Sequence, residues 1–406
     1  MSEPVRVLYS FPHKLGAGRI CHTAWQQVNG LAAAGAAVEA HPGVLFRPVA
    51  PGVAVRPTLA WGRLRVSYKL LGMTRACQLH DRIVARRIER GGAGIDIVHA
   101  WPLGARRTLE AARRRGIPTV LERPNAHTRF AYEVVQRECD RLGVPLPPDH
   151  EHAFKADVLR IEEEEYELAD YLLCPSEFVA RTFVEQGFPR EKLLRHIYGF
   201  DEAVFRPAPA AAADEKRPFT MLFAGVCAVR KGLHFALEAW LDSPASEHGR
   251  FLIAGDFLPA YRAKLAPMLA HRSVHVLGHR NDVPELMRAS DVLVLPSLEE
   301  GSALVCAEAM ASGCVPLVSD ASSDHCRHGE NALVHRVGDV AALRAHITAV
   351  YEDRALLRKL REAGLRLAPE ITWSAAGRRL LDVYRSVLPS GPRSAPARGP
   401  GGPASP

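Results

Sequence analysis

The 406-residue chain is poor in the features that would fix its class at a glance. No apolar run approaches the roughly 18 residues of a membrane-spanning helix, so an integral membrane protein is not expected. The eight cysteines include no C-x-x-C pair, which removes the common zinc and thioredoxin-like spacings. The close pairs His150/His152 and His325/His328 have no further ligands in sequence, so no metal site is expected. There is no G-x-x-x-x-G-K-[ST], hence no P-loop. Zinc-finger spacing, RNP-type aromatics and a basic region with heptads are all missing, so no nucleic-acid partner is expected. The opening residues MSEPVRVLYSF run straight into a strand, without the pattern of a secretion signal. With cysteines that fit free buried thiols in a reducing compartment, the expectation is a cytoplasmic protein.

What is present is ordinary globular composition, 47% hydrophobic and 24% charged. The length allows two or three domains, each able to bury a core. Lys and Arg outnumber Asp and Glu by 52 to 45, and the arginines cluster in VARRIER (84–90) and ARRTLEAARRRG (105–116). Such runs usually form solvated helix faces. They would also suit peripheral contact with the inner face of a membrane.

Strand-like and helix-like segments alternate throughout. Val5–Ser10, Ala37–Ala40, Asp96–Ala100, Pro118–Glu122 and Tyr171–Pro175 read as strands, with helices of 10–15 residues in several of the intervals. That rhythm predicts βαβ units and a parallel sheet. The run IEEEEYEL within the expected helix Ala153–Asp170 reads as a wet face. Around Pro207–Arg217 the composition turns to Ala, Pro and charge, as in a linker, after which strand and helix resume from Phe219 to Ser319. The expected organisation is 1–206, 207–371, a terminal helix 372–388 packing back on the first domain, and a tail 389–406. That tail holds six prolines and four glycines and is expected to be disordered.

Four stretches carry candidate chemistry. In DVLVLPSLEEGSALVCAEAMASG, Glu300 lies in the loop after a strand and Glu308 lies eight positions later in a helix. The helical rise separates them by roughly 12 Å, too far for a glycosidase dyad at about 5–9.5 Å. An elongated ligand with a polar ring at each end would match. Between them the N–H groups of Ser302, Ala303 and Leu304 open a helix, a place for an anionic group. A surface glutamate plus a helix glutamate meets the same spacing. In LFAGVCAVRKGLHF, Arg230 and Lys231 stand at a strand-to-helix turn, where a diphosphate could bind. In FPHKLGAGRICH, Gly16 and Gly18 permit close approach of backbone to a ligand. GAGRIC is two-thirds of a dinucleotide fingerprint, with Glu39 near the position of its acid. In LERPNAHTRF, His127 follows a strand and should project from its carboxyl edge.

Together these stretches resemble the family-4 retaining glycosyltransferases, which have the GT-B fold of two Rossmann-like parallel-sheet domains facing across a cleft. EEGSALVCAEAMASG looks like that family's E-x(7)-E signature, and FAGVCAVRKG resembles its glycine-then-lysine turn. DIVHAWP, LADYLLCPSEF, YGFDEAVFRP, LGHRNDVPELMRASDVLVLPS and ERPNAH also match in order, over nearly all of residues 5–388. The resemblance implies glycan biosynthesis from a nucleotide-diphosphate sugar, with a hydroxyl acceptor of unknown kind and no cofactor. Glu308 would hold the ribose and Glu300 the donor sugar, with Gly301–Leu304 meeting sugar and phosphate. Lys231 and Arg230 would stabilise the leaving diphosphate, and the Gly16–Gly18 loop would approach it from the other domain. Arg280 would lie beside the nucleobase and His127 would face the reacting sugar. Val226 stands where many members carry an arginine, and Ser302 where many carry an aromatic. No D-x-D occurs, so the cations would do the work of a metal clamp, and retention would proceed by front-face attack. Two other readings remain at this point: a non-catalytic nucleotide-sugar or glycan binder, suggested by Val226, and an NAD-dependent oxidoreductase, suggested by GAGRIC with Glu39.

Overall fold

Neighbouring strands in both large sheets run parallel, which requires a crossover between each pair. The computed structural model describes residues 3–62, 64–66, 71–91, 94–208 and 217–389. The first lobe holds β1 (Arg6–Leu15), β2 (Ala37–Leu45) and β3 (Ala54–Val55). A small hairpin, β4 (Ala60–Trp61) with β5 (Leu64–Arg65), follows. Then come β6 (Ile97–Ala100), β7 (Thr119–Glu122), β8 (Tyr171–Cys174) and β9 (Leu193–Arg195). Their order is β3-β2-β1-β6-β7-β8-β9. The second lobe holds β10 (Thr220–Ala224), β11 (Arg250–Ala254), β12 (Val274–Gly278), β13 (Val292–Leu295), β14 (Val315–Ser319) and β15 (Leu333–His335). Their order is β12-β11-β10-β13-β14-β15.

The apolar runs dictate this arrangement. TMLFA of β10 and VLVL of β13 are buried at every residue, as a strand covered on both faces must be. The expected strands are all present. β1 and β2 extend further than their apolar runs suggested, pairing on to Lys14 with Val44 and Leu15 with Leu45. β6 leaves β1 at Ser10 with Ala100, so the end of β1 projects beyond its inner neighbour.

The acidic run departs from the expectation of a wet face. In the helix Ala156–Leu168, Glu162 and Glu165 turn inward and are buried. Glu165 accepts the N–H groups of Leu103 at 2.7 Å and Ala105 at 2.8 Å. It thereby caps the helix Arg106–Arg114, whose own first residue, Ala105, offers no capping side chain. Burial pushes the Glu165 carboxyl up to about 8 despite those bonds. The arginine runs lie on the helices Met73–Gly91 and Arg106–Arg114 and are partly neutralised, Arg87 by Glu39 and Arg114 by Glu89. All eight cysteines are free thiols. No helix among the described residues is long and apolar enough to cross a membrane.

The lobes share an apolar seam. Val135, Cys139, Leu142 and Val144 of the first lobe join one cluster with Val229, Leu233 and Phe235 of the second. Of the expected linker, residues 209–216 lie outside the described residues, as do 390–406 of the expected tail. The helix Trp373–Val387 returns to the first lobe, where Leu380, Leu381 and Tyr384 cluster with Val7, Tyr9 and Val28. It crosses the helix Ile20–Ala33 at Gly377 and Gly30, whose backbones touch; a Cβ on either would meet the other's backbone. Gly377→Val should therefore lower stability by about 1–3 kcal/mol, the cost of overpacking. The shift of the urea unfolding midpoint measures it.

Candidate active site between the lobes

In the second sheet, strand order reverses between β10 and β13. In open parallel sheets, ligands bind at the carboxyl ends of the strands at such a reversal. Both segments singled out from sequence leave the sheet there. After β10 comes a tight turn over Val229–Lys231, ended by Gly232 at φ 67°. After β13 comes the loop 296–303 and then the helix Leu304–Ala311. Gly232 is needed twice, because it is left-handed and because a Cβ would overlap the Pro296 carbonyl. That contact brings Arg230-Lys231 against Glu299-Glu300.

The four charges form one buried cluster. Lys231 Nζ is paired with Glu300 Oε1. Arg230 Nη1 lies 3.1 Å from Glu300 Oε2 and 3.2 Å from Glu299 Oε1, and donates to the Glu299 carbonyl at 3.0 Å. Ser297 donates to Glu300 at 3.0 Å. Across the cleft, His152 Nε2 of the first lobe lies 2.9 Å from Glu299 Oε1. Burial opposes ionisation of Arg230, Glu299 and Glu300, yet their partners outweigh it. Arg230 and the bond from His152 hold Glu299 down at about 2. Arg230 and Lys231 keep Glu300 below the usual carboxylate range. The carboxylates in turn raise Arg230 above its ordinary value. Gly301 completes the junction, since a Cβ there would overlap the Pro124 carbonyl of the opposite lobe.

Beside this cluster the helix Leu304–Ala311 starts without a capping side chain. The sequence suggested open N–H groups at Ser302, Ala303 and Leu304. The Ala303 N–H is instead committed to the Ser322 carbonyl at 2.9 Å; Leu304 and Val305 head the helix with no backbone acceptor among the described residues. Glu308 lies in that helix, half-buried and without a side-chain hydrogen bond among the described residues. Burial, helped by nearby Asp201, pushes its carboxyl up to about 7.

Other expected residues lie elsewhere. Arg280 follows β12, the edge strand, on the same carboxyl side of the sheet. It is exposed and held by Asp282, with Nε 2.7 Å from Oδ1. His127 does not face the cleft. Its ring is 1% exposed and packs edge-on against Tyr166 and Phe183, at 5.1 and 4.9 Å. Its Nδ1 accepts the Arg129 N–H and so caps the helix Thr128–Leu142. Burial, with Arg123 and Arg129 nearby, lowers it to about 3. The aromatic core behind β7 takes the imidazole away from the strand edge. Glu39 is bound by Arg87 at 2.8 and 2.7 Å, so it is not free for the ribose of a dinucleotide. Sequence reasoning missed Glu299 and His152. The adjacent acid in SLEEG was the only visible signal for the first, and the DHEH pair for the second.

The first sheet has its own reversal, between β1 and β6. There a cavity of about 560 Å³ opens, lined by the segment after β1 that includes Gly18, by Trp101 and Leu103 after β6, and by Glu151 and His152. Gly16 lies beside it, in a left-handed conformation at φ 89° against Arg47. His152 is thus shared between this cavity and the charge cluster.

Comparison with known proteins agrees with this geometry. Residues 218–353, the second lobe with both charged segments, match the family described as Glycosyl transferases group 1. The chain is 27% identical over 386 residues to D-inositol 3-phosphate glycosyltransferase of Thermobispora bispora, covering 89% of this chain and 84% of that one. It is 30% identical to the lipopolysaccharide glucosyltransferase WaaG of Escherichia coli over 157 residues, 38% of this chain and 39% of that protein. Sucrose-phosphate synthase of Thermosynechococcus elongatus superposes with a TM-score of 0.70 at 18% identity, over 95% of this chain and 99% of that one. HepE of Anabaena in complex with UDP-glucose superposes at 0.64 and 15% identity, over 94% of this chain and 100% of that one.

The placement of His127 has a measurable consequence. His127→Ala should cost about 2–5 kcal/mol of stability, as core truncations do, while nucleotide affinity of the folded protein stays within a few-fold of wild type. Thermal unfolding and calorimetric titration separate the two.

Proposed function

We propose that this chain, a group 1 glycosyltransferase with the GT-B fold, moves a hexose from a nucleotide-diphosphate sugar to a hydroxyl acceptor with retention and without a metal. The observation that carries the reading is the pairing of Arg230 and Lys231 with Glu299 and Glu300 at the sheet reversal, facing the other lobe. Breaking the bond from the anomeric carbon to the phosphate oxygen builds positive character on the sugar and negative charge on the departing diphosphate. Fixed cations and helix N–H donors stabilise that charge as it forms, without reorganisation. Arg230 and Lys231 supply the cations, and Leu304 and Val305 the open amides. Arg230 would take the place of the arginine absent at Val226. This arrangement supports a leaving group handled by protein charge alone.

Glu300 then exchanges its cations for hydroxyls of the donor sugar, and Glu308 accepts from the ribose. Gly16 and Gly18 approach the diphosphate and sugar from the first lobe, and Arg280 would border the nucleobase. Glu299 stays tied to Arg230 and His152 and Glu300 is taken up by sugar hydroxyls, which supports front-face attack over a covalent carboxylate intermediate. The acceptor oxygen bonds the anomeric carbon on the face that the diphosphate leaves, and the hydroxyl proton goes to the departing phosphate. The complex of HepE with UDP-glucose supports a donor of the UDP-hexose type. With Glu39 occupied, dinucleotide chemistry has no remaining support.

Nucleotide release from a panel of nucleotide-sugars tests the reading. Lys231→Ala should lower kcat by at least ~10²-fold, the scale of one preorganised donor. Wild-type turnover in that variant would remove the mechanism.

A second test uses Glu308. Its folded value near 7 is above the ordinary carboxylate value, so its protonated form stabilises the fold at low pH. That contribution fades as pH rises through about 7. Ribose hydroxyls donate to the ionised form and favour it. Nucleotide binding at pH 6 should therefore release protons, and affinity should rise with pH until about 7. Titration calorimetry in buffers of different ionisation enthalpy reads the release; Glu308→Gln should abolish it.

A further inference from the structure

The cavity at the reversal of the first sheet differs in chemistry from the charged site it adjoins. Its walls are chiefly apolar: Ile20, Met73, Trp101, Leu103, Tyr132 and Val158. The apolar surface continues outward. Ile20 and Met73 are exposed at the lining, and exposed Phe154 packs edge-on against Tyr132 at 5.6 Å. Exposed apolar clusters of this kind mark a binding surface.

The buried charged groups that line the cavity are spoken for, and the others on its lining are exposed. Arg123 is buried, 3.4 Å from Glu162, and lies over the Tyr166 ring at 4.4 Å. His152 is tied to Glu299. Lys14, Arg19 and Glu151 are exposed. A phosphorylated acceptor would find its cations on the lining only at exposed Lys14 and Arg19, where water weakens an ion pair, because Arg123, the buried one, already has its carboxylate. Two polar side chains on the wall, His13 and Asn125, make no hydrogen bond among the described residues. Burial lowers His13 to about 4, so its imidazole is neutral. Apolar walls with a few unpartnered polar groups describe a site for a compact, mostly apolar molecule oriented through one or two hydrogen bonds.

We propose that this cavity takes an uncharged, compact acceptor with an apolar body and a free hydroxyl, with His13 and Asn125 orienting the polar end. The inference rests on the transfer reading of the adjoining site and adds the class of its acceptor. It sets the protein apart from a relative named for an inositol phosphate acceptor.

The test measures three affinities on the full chain. 2-Naphthol serves as the compact apolar alcohol, followed by its fluorescence, and myo-inositol 1-phosphate as the polar anion, followed by calorimetry. Nucleotide-sugar binding is measured in parallel. 2-Naphthol should bind at least tenfold more tightly than inositol phosphate. Met73→Glu, at an exposed position, and Val158→Glu should each weaken naphthol at least tenfold with unfolding temperatures near wild type. Tighter binding of inositol phosphate, or unchanged naphthol binding in both variants, overturns the proposal. Loss of nucleotide-sugar binding with naphthol binding intact strikes instead at the transfer reading. Transfer to 2-naphthol and to farnesol in phosphatidylcholine vesicles separates the two sources of an apolar alcohol. Transfer to vesicle-borne farnesol alone overturns the enclosed, soluble acceptor.

Discussion

The junction of the two lobes depends on a buried set of charges that neutralise one another. Arg230 and Lys231 bring two positive charges, and Glu299 and Glu300 two negative ones. Such a set is tolerated out of water only with near-complete pairing. His152 extends the pairing across the cleft, so the packing of one lobe on the other and the orientation of Arg230 are one problem. Removing a partner leaves a buried charge alone, which costs far more than a surface pair is worth. The balance also limits what the site can accept. A diphosphate entering a neutral cluster must displace a carboxylate from its cations or meet donors that are not yet used. On the proposed reading the open end of the helix Leu304–Ala311 would supply such donors, and the exchange at Glu300 the rest.

Topology explains why two unlike sites end up side by side. Each sheet reverses its strand order once near its middle, at β1 with β6 and at β10 with β13. At each reversal the crossovers diverge to opposite faces and leave a crevice at the carboxyl ends of the strands. With the lobes facing, the two crevices open toward each other. The second is lined by ionic side chains and the first by apolar ones, and His152 belongs to both. The projecting end of β1 carries His13 to the cavity wall, because β6 stops pairing at Ser10 while β2 continues to Leu15.

The strands were legible because each is a short, nearly unbroken apolar run, and parallel sheets buried on both faces demand such runs. Glu300, Glu308, Arg230 and Lys231 were legible because each lies within one strand–loop–helix segment, where spacing along the chain fixes spacing in space. The contact of Glu299 with His152 was not, since it joins residues far apart in sequence. Glu162 and Glu165 misled for a related reason. An acidic run on a helix is wet unless something buried needs it, and the uncapped helix at Ala105 does. His127 follows a strand, as a cleft residue would, but the chain turns at once into a helix and needs its ring for the cap. The Ala303 amide was lost to a carbonyl from the next loop, a contact that spacing cannot reveal.

Native proteins pair their buried polar groups with few exceptions; buried unpartnered atoms occur here in several places, His196 and His335 among them, and a separate set of less buried polar groups lies open beside the cleft. Glu308 is half-buried with no hydrogen-bond donor among the described residues, and Leu304 and Val305 begin a helix with no capping side chain. His13 and Asn125 face a cavity without partners. None of these residues is fully buried, so each stays open to solvent or to a ligand. On the proposed transfer reading each would have a use: an acceptor for hydroxyls at one end, donors for phosphate in the middle, and hydrogen bonds for a hydroxyl at the other. A sequence specifies its fold by agreement between local and global demands, and it departs from that agreement where something other than the chain completes the structure. On that reading the open groups run across the junction, from Glu308 in one lobe to His13 in the other.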